Sequence, residues 1–216
     1  MDPSTECNKF IDQVIESRRT IRRFKQEAPP RELIEQVLHA GLMAPYAGVG
    51  VTREDFRHFI VIPRESKATA QIAAILKRKA ESSRMQLEAR MQQDEFTKKR
   101  GGPFLEVLKL TSERGMPNIG KVPYYIVVAE ERGIPPVESL SLAHCLQNMW
   151  LKAAALGLGF QLISITEQLG DDEEFCSLIK IPVGEFALDG CIIGYPDMKP
   201  AAPKRPDLKQ VTRWLD

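Results

Sequence analysis

The stretch S-R-R-T-I-R-R-F-K, residues 17–25, carries five cations within nine positions. Successive side chains of an extended chain point to opposite sides, so Arg18, Thr20 and Arg22 share one side while Ile21 anchors the other. Forked guanidinium donors match phosphate oxygens, and a threonine hydroxyl adds a neutral donor. This pattern favours a site for a single phosphomonoester. The alternative is a solvated basic surface that binds no ligand.

The totals for the chain restrict the classes of protein to which this stretch can belong. The 216 residues are enough for one domain with a full core, and we expect a single domain over residues 1–216. The chain has 30 basic and 29 acidic residues, which give a formal net charge of +1. The basic stretch is therefore a local patch, and a general nucleic-acid binder is disfavoured.

Nothing in the sequence predicts export, a membrane partner or a metal site. The first ten residues, MDPSTECNKF, are polar, and no apolar run reaches membrane-spanning length. The three histidines have no metal-ligand spacing, and the four cysteines form no C-x-x-C pair. We therefore expect reduced thiols and a cytoplasmic location. The cysteines are Cys7, Cys145, Cys176 and Cys191.

On both sides of the basic stretch, apolar residues at regular spacing predict an alternation of helices and strands. The predicted helices cover 9–17, 31–43, 139–156 and 171–180. Four runs rich in β-branched and aromatic residues predict core strands. These strands cover 56–62, 123–129, 160–166 and 188–194. The predicted fold class is therefore α/β (α+β), because strands interleave with helices.

Three segments lie outside this alternation. Residues 66–100 contain no Gly or Pro and predict one long helix or two, partly exposed to solvent. Residues 101–120 predict a mobile loop with a helical piece at 104–111, and the whole region 64–120 is either a helical insertion or a lid. The Pro-rich tail 197–216 cannot bury itself, so we expect an extended arm that lies on another subunit.

Common catalytic and nucleotide-binding motifs are missing from the sequence. It contains no G-x-S-x-G, no Walker loop and no H-E-x-x-H. Gly157-Leu158-Gly159 follows a predicted helix and precedes a predicted strand, the reverse of the order in a dinucleotide-binding fingerprint. We interpret this glycine pair as a helix stop followed by a tight turn.

The order and spacing of several segments resemble the nitroreductase family of FMN-dependent flavoproteins. The resemblance covers most of the chain apart from about 64–120. Its segments are R-R-T-I-R-R-F (18–24), L-I-E-Q-V-L-H-A-G-L-M-A-P (33–45), F-R-H-F-I-V-I (56–62), P-Y-Y-I-V-V-A (123–129), S-L-A-H-C-L-Q-N-M-W-L-K-A-A-A-L-G-L-G-F (141–160), L-D-G-C-I-I-G-Y-P (188–196) and K-R-P (204–206).

The resemblance implies a nitroreductase-like fold with a mixed central sheet flanked by helices. It also implies an intimate homodimer that binds FMN at its interface and exchanges its C-terminal arms. The family's R-x-S/T-x-R/K element holds the phosphate and ribityl chain, and a basic residue near the C-terminus completes the phosphate site; of the two candidates there, Arg205 matches better than Lys204. The implied residues on the phosphate side are Arg18, Arg19, Thr20, Arg22, Lys204 and Arg205.

The resemblance also implies which residues face the flavin ring. The loop after the first long helix reaches the flavin of the partner subunit, and backbone N–H groups after the L-G-L-G turn approach flavin N5. The implied residues on the ring side are Pro45, Tyr46, Ala47, Leu162, Ile163, Ser164 and Ile165.

The loop after the first long helix departs from the family pattern. The family commonly has P-S-x-x-N-x-Q-P-W, whereas this chain has P-Y-A-G-V-G-V-T-R at 45–53. Tyr46 replaces the serine, Val49 lies near the position of the flavin-contacting Asn, and the Q-P-W is missing. These changes affect the ring contacts and the substrate pocket more than the phosphate site. Tyr46 is expected either to stack on the flavin or to line the dimer core.

The activity implied is that of an FMN-dependent oxidoreductase that passes hydride from NAD(P)H through flavin N5 to a small oxidant such as a nitroaromatic or a quinone. The flavin carries the chemistry, so no catalytic side chain is expected. A positive charge near the pyrimidine edge of the ring would come from Arg19, Arg22 or Arg53.

Two other functions compete with this one. The missing Asn and Q-P-W favour a flavin-binding or flavin-storage protein with little turnover. An RNA-binding module could use residues 18–25, but the charges lack interleaved aromatic residues and the total charge is nearly neutral.

Overall fold

Four antiparallel strands form the sheet, and each overlaps one of the predicted strands. The structure is a computed structural model in which residues 3–46 and 54–215 are described. The strands are β1 (Arg57–Pro63), β2 (Tyr124–Glu131), β3 (Gly159–Leu162) and β4 (Phe186–Gly194). They lie in the order β1-β2-β4-β3 with antiparallel pairings throughout. The described residues also contain one parallel pairing, an isolated bridge between Thr20 and Phe160.

Helices cover both faces of this sheet. They are α1 (Pro3–Ser17), α2 (Arg31–Leu42), α3 (Thr69–Gln93), α4 (Glu95–Arg100), α5 (Gly102–Arg114), α6 (Glu138–Ala155), α7 (Glu173–Ile179) and α8 (Leu208–Val211). Alternate residues of β2 point into two separate cores: Tyr125 and Val127 pack with α3, and Ile126 and Val128 pack with α2 and α6. Burial on both faces explains why β2 is almost continuously apolar.

The region 64–120 is part of the core rather than a peripheral addition. The first half of α3 places Ile72, Ile75 and Leu76 in the core with almost no exposure, and α5 adds Leu108. The predicted single or double helix is two helices, because Asp94 leaves the helical conformation and caps α4 by accepting a bond from the Thr97 N–H.

Two sequence predictions are wrong in part. The loop predicted over 101–120 is the helix α5 for most of its length, since Pro103 is tolerated in a first turn and Gly115, at φ +82°, ends the helix. The strand predicted at 160–166 ends at Leu162, and Ser164–Leu169 form a 3-10 helix. The Thr166 hydroxyl donates to the carbonyl of Ile163, which offers the backbone an alternative to the strand ladder.

The C-terminal tail is exposed throughout residues 201–215. It is extended as predicted except for α8, a single turn that Asp207 caps through the N–H of Lys209. In the described part of the chain no helix combines the length and the apolar character that a membrane span needs, and no cluster of potential metal ligands is found there.

A fully buried ion pair joins the first two strands. The Nε of Arg57 donates to a carboxylate oxygen of Glu130 at 2.8 Å, and both side chains have no exposed surface. The Nη1 of Arg57 donates to the carbonyls of Gly41 and Ala44 at 2.9 and 3.0 Å, so the same guanidinium also satisfies the end of α2. Burial raises the pKa of Glu130, and the bond from Arg57 opposes that shift.

We predict that Arg57→Met lowers the free energy of unfolding by about 3–5 kcal/mol, because it leaves a buried carboxylate without its partner. The double variant Arg57→Met/Glu130→Leu should recover much of that loss. The matched control is Arg31→Met, which removes an exposed pair with Glu35 and should have a far smaller effect. Urea unfolding measures all three, and equal effects of the two single substitutions would contradict the role assigned to the buried pair.

Candidate functional site

The basic segment, residues 18–25, runs in an extended path beside the end of the sheet. The N–H of Ile21 donates to the carbonyl of Phe160 in β3 at 3.0 Å, and the Ile21 side chain is buried as predicted, with 7% exposed. Gly159 permits this approach, because a Cβ atom there would lie 2.9 Å from the Ile21 side chain. The segment is therefore held against β3 by both backbone and side chain.

Arg18 lies on an aromatic stack. Its guanidinium carbon is 4.2 Å from the centre of the Trp150 ring, which is within cation–π distance. Trp150 also stacks on Phe160, with ring centres 5.1 Å apart and planes 18° apart. The indole N–H of Trp150 donates to the carbonyl of Arg19 at 3.1 Å.

Positive charges gather around Arg18. Burial lowers the pKa of the Arg18 guanidinium, and the charges of Arg19 and of Arg205 in the tail lower it further. Within the described residues neither Arg18 nor Arg205 forms an ion pair. Like charges gathered without an anion suit a phosphate group.

The remaining residues predicted on the phosphate side differ in their contacts. Arg19 donates to the carbonyls of Glu16, Arg18 and Ala201, so its donors hold the backbone and tether the tail. Thr20 is half-buried and paired with Phe160, and its hydroxyl has no hydrogen-bond partner in the described part of the chain. Lys204 is exposed.

A cleft of about 660 Å³ lies between β3, the 3-10 helix and α5. Arg22 and residues 162–165, predicted to face the flavin, line one side of it. The opposite side carries Phe104, Val107 and Leu110 of α5, whose side chains are about half exposed. The structure thus brings Arg22 and the predicted ring-side strand together, and places them opposite an apolar helix face.

Backbone donors face this cleft at the start of the 3-10 helix. The N–H of Ile163 donates to the carbonyl of Gly190 at 2.7 Å, and that of Thr166 returns to Ile163. The N–H groups of Ser164 and Ile165 lie in the first turn, where helical donors lack internal partners. No acceptor outside that helix is found for them among residues 3–46 and 54–215.

Two residues predicted on the ring side lie elsewhere in the protomer. Pro45 and Tyr46 follow α2, and the Tyr46 ring packs on Phe56 with centres 4.7 Å apart. The Tyr46 hydroxyl is buried without a hydrogen-bond partner among the described residues. Burial raises its pKa, followed by the charges of Glu138 and nearby glutamates. The predicted residues Ala47, Val49 and Arg53 lie outside the described part of the chain.

Sequence analysis missed Trp150 and Asn118. Trp150 could have been noticed as an aromatic residue off the apolar stripe of α6. Asn118 has φ +73° and donates to both the carbonyl of Arg22 and the side chain of Gln161, at 3.1 Å each. Asparagine adopts this left-handed conformation more readily than most residues, but its partners are too distant in sequence to be anticipated.

Comparisons with known proteins identify a family for the chain. Residues 15–195 match the profile of the Nitroreductase family. An iodotyrosine deiodinase from Thermotoga neapolitana is 25% identical over 214 residues, which cover 95% of this chain and 98% of that protein.

Solved structures show the same fold. A nitroreductase with bound FMN from Desulfitobacterium hafniense has a TM-score of 0.68 at 20% identity and covers 96% of this chain and 98% of its own. An iodotyrosine deiodinase bound to FMN and 3-iodo-L-tyrosine has a TM-score of 0.66 at 22% identity and covers 95% and 99%. At these identities the likeness confirms the predicted nitroreductase-like fold.

Asp189 is a titrating carboxylate close to the cleft. Burial raises its pKa to about 6, the bond it accepts from the Gly190 N–H lowers it, and the charge of Glu167 raises it. Glu167 itself lines the cleft. The folded protein therefore keeps a proton on Asp189 in a pH range where the unfolded chain has lost it.

We predict that this residue makes the protein less stable as the pH rises from about 4 to about 6, because the folded state then binds more protons than the unfolded state. Asp189→Asn should raise the free energy of unfolding at pH 7–8 by roughly 1–3 kcal/mol and have little effect below pH 4. Chemical unfolding of both proteins across pH measures the difference. A difference that does not change between pH 4 and pH 7 would refute the prediction.

Proposed function

This chain belongs to the Nitroreductase family, and we propose that it is an FMN-dependent oxidoreductase that passes hydride from NAD(P)H to a small aromatic or quinone-like oxidant. The observation that carries the proposal is the geometry of the basic segment. An extended stretch leads from Arg18, which like Arg205 has no ion pair among the described residues, to Arg22 at the cleft. Four extended residues span about 13 Å, and this length between Arg18 and Arg22 would separate the phosphate end of the site from its ring end.

The residues of the site fit FMN. Arg18 and Arg205 would hold its phosphate, with the free Thr20 hydroxyl as a further donor. Arg22 would place a positive charge beside the ring, since Arg19 is engaged by backbone carbonyls. When bound, FMN supplies the two-electron chemistry, taking hydride from a nicotinamide and delivering it to an oxidant.

The chain's own contribution is binding, orientation and exclusion of water. The N–H groups of Ser164 and Ile165 would donate to the ring. The α5 face, with Phe104, Val107 and Leu110, would receive an apolar, flat oxidant and keep water from the cleft. Through these side chains of α5, the region 64–120 would take part in substrate selection.

Reductive dehalogenation of an aromatic amino acid is a second candidate. Its support is the presence of Arg22 and Glu167 on the same cleft, since these opposite charges could pair with the carboxylate and ammonium of a zwitterion. Two of the relatives are named iodotyrosine deiodinases. A flavin-storage protein with little turnover is the third candidate, and it is supported by the altered sequence at 45–53.

We predict that the purified protein is yellow, that acid releases FMN and not FAD, and that NAD(P)H bleaches the colour. A nitroaromatic or quinone should restore it faster than 3-iodo-L-tyrosine does. The opposite order would favour dehalogenation, and slow reoxidation by all three would favour storage. Chromatography of the released cofactor and stopped-flow absorbance measure these outcomes. Release of FAD, or of no flavin, would overturn the proposed function.

We also propose that the active form is a homodimer whose C-terminal arms cover the partner subunit. The tail exposes four large apolar side chains, each with at least 65% of its surface accessible: Leu208, Val211, Trp214 and Leu215. The chain offers a surface to cover, because α1 exposes Phe10, Ile11 and Ile15 beside an apolar groove of about 210 Å³ against α6. Exposed apolar surfaces of this extent indicate association.

We predict that deletion of residues 207–216 shifts the protein from dimer to monomer and lowers its FMN content, because this deletion removes the apolar arm but keeps Arg205. The control is Arg205→Ala, which should weaken FMN binding while the dimer persists. Light scattering after size-exclusion chromatography measures the mass. A full-length monomer, or a truncated chain that stays dimeric, would contradict the arm exchange.

We further propose a cytoplasmic location and a single domain over residues 1–216. The first is supported by the four cysteines, which are all free and of which three are buried. The second is supported by α3 and α5, because their apolar residues complete the core of the sheet.

A further inference from the structure

The stack of Arg18, Trp150 and Phe160 lies between two regions of the proposed site. Phe160 belongs to β3, whose next residues line the cleft, and Arg18 belongs to the cationic cluster. Trp150 contacts both through its ring. Its indole N–H donates to the carbonyl of Arg19. Among the described residues, the polar and aromatic partners of this side chain thus belong to the basic segment or to the strand beside it.

The cationic cluster needs such a support. Arg18 lies near the charges of Arg19 and Arg205, and none of the described carboxylates pairs with it to offset the repulsion. A guanidinium is planar and weakly hydrated, so it stacks on an aromatic face in a way that an ammonium does not. The Trp150 ring therefore holds Arg18 in place without consuming its hydrogen-bond donors.

We propose that Trp150 is a positioning residue for the cofactor phosphate. It holds the Arg18 guanidinium over its ring with the N–H groups free, so that the anion meets a preformed donor set. Preformed donors bind more tightly because less side-chain freedom is lost on binding. This inference rests on the proposed function, since it needs a phosphate-bearing flavin. Trp150 is not among the residues that the family resemblance assigned to the site.

Flavin titrations with FMN and with riboflavin test this role, because riboflavin has the same ring and no phosphate. Trp150→Leu should weaken FMN binding about tenfold and leave riboflavin binding unchanged. Trp150→Phe keeps an aromatic face and should recover most of the loss. In an Arg18→Ala background, Trp150→Leu should cause no further loss, because the two residues act through one contact.

Arg18→Lys provides a second test at a partly exposed position that leaves the core intact. It keeps the charge but replaces the planar group, so FMN binding should weaken severalfold and riboflavin binding should not change. The positioning role is overturned if Trp150→Leu weakens FMN and riboflavin equally, if its effect persists without Arg18, or if Arg18→Lys binds FMN as the original chain does. A chain that binds neither flavin overturns the proposed function itself, and the Trp150 role with it.

Discussion

The close approach of the basic segment to β3 is the constraint on which the candidate site depends. The backbone bond from Ile21 to Phe160 and the missing Cβ of Gly159 bring an extended, cationic strand of chain against the end of the sheet. From that position Arg22 reaches the cleft, while Arg18 reaches the face of Trp150. A side chain at position 159 would push the segment outward and separate the two ends of the site. The turn that contains Gly159 therefore both follows the end of α6 and sets the geometry of the site.

The buried charge of Arg57 has fixed partners, whereas the cationic cluster around Arg18 has none of opposite charge among the described residues. The side chain of Arg57 is wholly buried, and its charge is compensated by the carboxylate of Glu130 and by two carbonyls at the end of α2. Arg18 lies near other cations, no carboxylate among the described residues pairs with it, and the Trp150 ring is its principal support. Desolvated charges require fixed partners if the fold is to be stable. Unpaired charges at a surface carry no such requirement and remain available to an anion from solution.

The helices between β1 and β2 combine two tasks that are often separate. The first half of α3 and one residue of α5, Leu108, fill the core on one face of the sheet. The other side of α5 stays apolar and exposed over the cleft. Because one helix serves both, changes in its exposed face can alter ligand selection while the buried face keeps the helix in place. This arrangement supports a role for 64–120 in substrate choice rather than that of an inert insertion.

Local patterns determined much of this protein from its sequence alone. Period-3.6 and buried apolar runs located the main helices and four strands, although α1 begins six residues before its predicted start and β3 ends four residues before its predicted end. The alternation around Ile21 identified its buried side, since each of these features depends on neighbours along the chain. The sequence could not determine how Thr166 redirects the chain after β3, because side-chain bonding to the backbone competes with strand propensity there. The tertiary structure alone decided that Trp150 lies against Arg18, that the charge of Arg205 acts on Arg18, and that α5 and Arg22 line the same cleft. These contacts join residues far apart in the chain. Local periodicity carries no information about which distant side chains come into contact when two cores form on one sheet.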